Sequence, residues 1–284
     1  MKFSEEMGIF AVATVFVITV LIFSGIVISE SGCLNPDSVG KDNNCRISLL
    51  KYQGVLQNDL SALSDIARDT AVILSDKELS GADAQKALDS AQKQLPFIIT
   101  AVTFDEKGYV KAVSPSSQSE IAGMDLSDTS VVSDMNKNMI PSMSNLFELA
   151  QGGSAAIIKY PVFSPKKEYR GFISLTFDPS LLIGQYASEL MDATGYQSMA
   201  VQKDGIVLYD TDLDEIGKET FGNPMYDDYP EVLEFAKAYS QSFSGEYTYS
   251  YLDKGLDKTL DKKAFWTTFG LYGTEWRLIC IREA

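Results

Sequence analysis

The 284-residue sequence contains no histidine. That removes the Ser-His-Asp and Cys-His nucleophile arrangements, the commonest metal ligand, and the side chain best suited to proton transfer near neutral pH. Chemistry would then fall to carboxylates. Asp210-x-Asp212-x-Asp214 has the alternating spacing of a calcium loop, but Glu215 stands where the loop needs glycine and Phe221 where it needs the bidentate glutamate. It reads as an acidic turn. Tyr226-Asp227-Asp228-Tyr229 precedes Pro230 and reads as a helix start, where negative charge suits the helix dipole. No catalytic pair, metal site or cofactor site emerges, so the expectation is a protein that is not an enzyme.

The three cysteines are Cys33, Cys45 and Cys280. Cys280, in Arg-Leu-Ile-Cys-Ile, reads as a small buried hydrophobe. Cys33 and Cys45 flank a polar loop. They could close it as a disulfide in an oxidising exterior, or Cys33 could be lipidated after cleavage at Ser31-Gly32-Cys33. A net charge of −15 excludes nucleic acid as a partner, since phosphate neutralisation needs clustered Lys and Arg.

The elements that would carry any site follow one long apolar run. Residues 8–28 are membrane-length, and at about 1.5 Å per residue roughly 20 apolar residues span a bilayer. With Lys2 in the leader, we expect residues 1–29 to be a single-pass anchor with a cytoplasmic N-terminus and an extracytoplasmic body, a cleaved signal peptide being the rival. Residues 30–46 read as a juxtamembrane linker. Leu49, Tyr52, Leu56, Leu60, Leu63, Ala67, Thr70 and Leu74 then mark one face of a long helix, a stalk in its first turns, and a second helix over 81–94 completes the segment 47–95. After Pro96 come strands at 97–104, 109–113, 154–163 and 169–177, with Asp178-Pro179 opening a helix. The programme then restarts with strands at 199–202 and 206–209, a helix from Pro230, and strands at 243–251, 264–270 and 276–281. Asp105-Glu106-Lys107-Gly108-Tyr109-Val110 matches Gln202-Lys203-Asp204-Gly205-Ile206-Val207, and Ile121-Ala122-Gly123 matches Ile216-Gly217-Lys218. An α+β protein with an internal repeat of roughly 100 residues is implied, each half an antiparallel sheet with flanking helices.

This order resembles the double Cache extracellular sensor family. The set includes Tyr169-Arg170-Gly171-Phe172-Ile173-Ser174-Leu175-Thr176-Phe177-Asp178 in the first half. In the second it includes Lys203 to Asp210, Gly245-Glu246-Tyr247, Lys263 to Thr268 and Gly273 to Arg277. The resemblance covers about residues 47–282 and implies two PAS-like modules along the N-terminal helix. The membrane-distal module is residues 96–194, where family members usually hold a small molecule, and the membrane-proximal module is residues 195–284. Amino-acid-binding members carry an arginine and an aromatic residue after the Asp-Leu-Ser step and an aspartate in the last distal strand. Here Thr129, Val131 and Thr176 lie near those positions, which points away from a free amino acid and towards a small organic anion. Candidate ligand contacts are Ser114, Ser116, Met139, Tyr160, Arg170 and Thr176, with Arg170 as the cation for the anion. Ser117 and Met143 lie beside them, the methionines also serving as core filler, and Arg170 could equally be a surface charge beside Glu168. Family members usually continue into an output domain. Because this sequence ends at Ala284, the expectation is a membrane-anchored sensor that signals through a separate membrane protein. The alternative is a cell-surface interaction module with a vestigial pocket.

Overall fold

The computed structural model describes residues 36–149, 152–190, 195–253 and 258–284. The expected anchor, most of the expected linker and Cys33 lie outside the described residues. Among the described residues no helix is long and apolar enough to cross a membrane.

Helix α1 runs from Pro36 to Ile73, 38 residues and about 57 Å, so it begins inside the segment expected to be a linker. All eight residues of its expected apolar face are buried. That face packs against both sheets, and α2 (Gly81–Gln92) and α4 (Pro179–Leu190) extend the same core. The α4 start is capped as expected: Asp178 Oδ1 accepts the backbone N–H groups of Ser180 (2.8 Å) and Leu181 (3.1 Å).

The distal sheet has the order β2-β1-β6-β5-β3, with the short β4 (Phe147–Glu148) also on β5. Its strands are β1 (Ile98–Asp105), β2 (Val110–Ser114), β3 (Ser142–Met143), β5 (Ser154–Phe163) and β6 (Tyr169–Phe177). The proximal sheet has the order β8-β7-β11-β10-β9, built from β7 (Gln197–Gln202), β8 (Val207–Asp210), β9 (Gly245–Asp253), β10 (Lys258–Phe269) and β11 (Trp276–Glu283). All pairings are antiparallel. One face of each sheet meets α1. The other is covered by α3 (Ser130–Asn138) in the distal module and by α5 (Pro230–Gln241) in the proximal one.

The repeat is visible in matching hydrogen bonds. Gly123 donates to the Val110 carbonyl and Leu126 to Gly108; Gly217 donates to Val207 and Thr220 to Gly205. The counterpart of Gly123 is therefore Gly217, so Ile216 answers to Ala122, one residue away from the match read in the sequence. Gly108 (φ +93°) and Gly205 (φ +94°) both turn a strand pair in the left-handed region, where a side chain is strained.

The cysteine expectation needs correction. Cys45 on α1 is bonded to Cys280 on β11, across 235 residues of sequence, with Cα atoms 6.3 Å apart. Cys45 is therefore unavailable to Cys33. Cys280 is fully buried as expected, but as half of a cross-link rather than a free thiol. The signal was hidden because α1 begins before Cys45 and carries it onto the proximal sheet. Beside the bridge, Asp42 meets Lys263 (2.7 Å) and Arg282. Burial pushes the Asp42 carboxyl up, but the bonds and charges of those two cations outweigh it and hold the group below its ordinary range.

Candidate functional site

Strand register places Thr100, Val102, Ile157, Lys159, Ser174 and Thr176 on the distal sheet face that lies away from α1. Half of that face is filled: Phe104 stacks on Phe172 at 4.5 Å, and Val132 and Met135 of α3 close over them. Towards β3 the filling stops. A cavity of about 550 Å³ opens there, lined by Val131, Asp134, Ser144 and Lys159 among others, with Tyr272 of the proximal module in its wall.

Lys159 is the notable group in this cavity. It is 6% exposed, and its Nζ donates to the Val131 carbonyl at 2.9 Å, where the last residues of the Thr129-Ser130-Val131 entry begin α3. It forms no salt bridge within 4 Å among the described residues. Burial pushes the Lys159 ammonium down from the ordinary lysine range, and the Asp134 charge offsets part of that. An ammonium with three donors, one of them spent on a backbone carbonyl, is equipped to bind an anion. The proximal loop is attached to the same place: Thr274 Oγ1 donates to the Met143 carbonyl (2.7 Å), and the Tyr272 hydroxyl bonds Ser64 Oγ on α1.

The residues read as ligand contacts in the sequence do not converge. Thr176 lies on the cavity face of the sheet, though outside the cavity lining. Ser114 points the other way, is buried, and donates to Asp89 Oδ1 on α2 at 2.6 Å. Tyr160 also faces the α1 side and packs against the main core. Ser116 and Met139 are exposed, Met139 closing α3 in a left-handed conformation. Arg170 lies apart from the cavity that Lys159 lines. Its Nη1 donates to the carbonyls of Leu74 and Ser75, both at 3.1 Å, at the C-terminus of α1. Those carbonyls have no partner within the helix, and a cation there also suits the dipole. Lys159 escaped the sequence reading although the signal was present: one lysine in the otherwise apolar run Ala155-Ala156-Ile157-Ile158-Lys159-Tyr160-Pro161-Val162.

Residues 58–179 match the family model described as HK/GC/Chemotaxis protein-like, sensor domain. The match runs from α1 to the start of α4 and takes in the whole distal sheet. Among solved structures it is similar to an extracellular ligand binding receptor from Desulfohalobium retbaense DSM5692 (TM-score 0.69, 22% identity, 83% of this chain and 39% of that one). It is also similar to the ligand binding domain of the Pseudomonas aeruginosa PAO1 amino acid chemoreceptor PctB in complex with L-Gln (0.57, 13%, 84% and 89%). A third likeness is the periplasmic sensory domain of the Campylobacter jejuni chemoreceptor Tlp1 (0.56, 16%, 87% and 96%). The chain thus spans about two fifths of the first of these proteins and nearly all of the other two domains. At these identities the likeness establishes the fold, two sheet modules along one helix, and the double Cache resemblance holds. No curated protein matches the sequence.

Proposed function

We propose that this protein is a membrane-anchored, extracytoplasmic small-molecule sensor whose distal cavity takes a small organic anion. The observation that carries the reading is Lys159, a buried cation facing about 550 Å³ of space with only a backbone carbonyl as its hydrogen-bond acceptor among the described residues. Its anionic ligand would replace the hydration that the ammonium gives up, and a charge-assisted bond is roughly twice as strong as a neutral one. Thr129, Val131 and Thr176 offer neither the cation nor the aspartate of an amino-acid clamp, which supports a ligand other than the one bound by the amino acid chemoreceptor. Anchoring through residues 8–28 would place the body outside the membrane, in keeping with its likeness to extracellular and periplasmic sensory domains. Tyr272 and Thr274 then offer a route by which occupancy of the distal cavity reaches the proximal module, and α1 a route towards a membrane signalling partner.

The apolar filling of half the sheet face favours a second reading, a cell-surface interaction module with a vestigial pocket. A thermal-shift screen of the full chain against small carboxylates separates the two. A carboxylate at about 100 times its dissociation constant should add about 2.7 kcal/mol of stability. The shift should vanish in Lys159→Met. If no carboxylate moves the melting point and a surface protein co-purifies, the interaction reading replaces the sensor.

A further inference from the structure

The proximal module has its own cavity, of about 390 Å³, on the face of its sheet that looks towards α5. Register brings Asp210, Met199 and Ile279 into one row across β8, β7 and β11, so Asp210 at the end of β8 lies on the cavity face. Its Oδ1 accepts the Asp212 N–H (2.9 Å) and the Thr211 hydroxyl (3.3 Å), while Oδ2 has no hydrogen-bond partner among the described residues. Glu215 is already spent, meeting Lys218 at 3.2 Å and the Tyr226 hydroxyl.

Aromatic rings complete this end of the cavity. Tyr226, Tyr249 and Tyr251 line it. Tyr249 is nine-tenths buried and stacks on Phe235 with ring centroids 5.0 Å apart and 8° between planes. Stacking fixes this ring in the cavity wall. Across β7 and β11 from Asp210, Lys262 on β10 donates to Gln197 Oε1 at 3.3 Å and marks the other end. Met199, Val207 and Ile281 supply apolar wall between the two.

We infer that this cavity is a second ligand site, independent of the distal one, and that it takes a small organic ammonium compound. The ammonium lies against Asp210 and the tyrosine rings, and a hydroxyl or other acceptor on the ligand points towards Lys262. Cations gain from both an unshared carboxylate oxygen and the faces of electron-rich rings. Burial pushes the Asp210 carboxyl up, and the charges of Glu215 and Asp212 add to that, so a bound cation relieves strain already present.

The test is titration calorimetry on the full chain in detergent, with choline chloride and ethanolamine chloride against sodium chloride at matched ionic strength. At least one of the two is expected to bind. Asp210→Asn, close to isosteric, should weaken that binding about tenfold or more, which is about 1.4 kcal/mol. Tyr249→Phe, which keeps the stacked ring, should weaken it less, and Lys159→Met should leave it unchanged. The inference is overturned if neither compound binds, if binding survives both Asp210→Asn and Tyr249→Phe, or if Lys159→Met abolishes it. None of these results bears on carboxylate binding in the distal cavity, so the two sites stand or fall separately.

Discussion

The two modules share a strand order and differ in what they turn towards their cavities. Each puts a buried lysine on the equivalent strand, Lys159 on β5 and Lys262 on β10. Around Lys159 the sheet contributes threonine, serine and apolar side chains, with Asp134 the charge acting on it from α3. Around Lys262 stand Gln197, Tyr249 and, further along, Asp210. The two cavities therefore lie at corresponding places on one scaffold and differ in the charged and polar groups around them. A second difference is mechanical: among the described residues only the proximal sheet is joined covalently to α1, through Cys45–Cys280.

That covalent tie offers the largest expected effect. A cross-link closing so long a loop contributes roughly 4 kcal/mol. Replacing both Cys45 and Cys280 with Ala should lower the unfolding free energy by about that amount in denaturant titration. Hydrogen exchange should rise in β9–β11 before it rises in β1, β5 and β6. Equal loosening of both sheets would mean that α1 welds the modules into one cooperative unit, and the comparison would fail.

The lysines come next. Lys159→Met should cost carboxylate binding about a hundredfold, or about 2.7 kcal/mol, while leaving the melting temperature unchanged or higher. The folded protein holds Lys159 below its ordinary range, so the charged form is costly to bury and an apolar replacement removes that cost. Carboxylate affinity should accordingly fall as pH rises through the lowered value, at lower pH than an exposed lysine would titrate. Lys262→Met is expected to leave carboxylate binding intact. Affinity measured across pH for the unsubstituted protein and both variants, with their melting temperatures, checks these statements, and equal losses of affinity in both variants would mean that the modules do not divide the work.

How far the sequence could be read follows the same division between local and distant causes. The buried face of α1, the β5 and β6 limits and the Asp178 cap were legible because each rests on periodicity or on neighbours within a few residues. The repeat was legible at Gly108 and Gly205, because a positive φ leaves its mark on the residue itself. What stayed hidden depends on partners far along the chain. Cys45 meets Cys280 only because α1 starts at Pro36, and Arg170 reaches Leu74 only because β6 begins beside the last turn of α1. Lys159 was passed over for a different reason. Arg170 sits in a polar hairpin, where a cation looks available, whereas a lysine inside an apolar strand was absorbed into the strand.

The two turn glycines sharpen the comparison at smaller scale. A Cβ on Gly108 would lie 2.9 Å from the Ser127 Cα, which is backbone, and 2.8 Å from a Val132 methyl. On Gly205 it would lie 2.7 Å from the ring of Phe221, a half-buried side chain rather than backbone. Both substitutions carry the strain of a positive φ, about 1 kcal/mol. Gly108→Ala should therefore cost about 2 kcal/mol and Gly205→Ala about 1 kcal/mol by denaturant titration. A reversed order would mean that the distal turn adapts more readily than the proximal one.

Arg170→Ala carries the smallest effect. Loss of a cation that bonds two terminal carbonyls of α1 should cost about 1 kcal/mol, since the freed groups lie near the helix end and water can reach them. Carboxylate affinity should not change, because the guanidinium is turned to Leu74 and Ser75 and is not part of the cavity that holds Lys159. Measured together, stability and affinity separate two roles that the sequence alone could not: a cation that closes a helix and a cation that waits for a ligand. A fall in affinity with unchanged stability would return Arg170 to the ligand site and remove Lys159 from it.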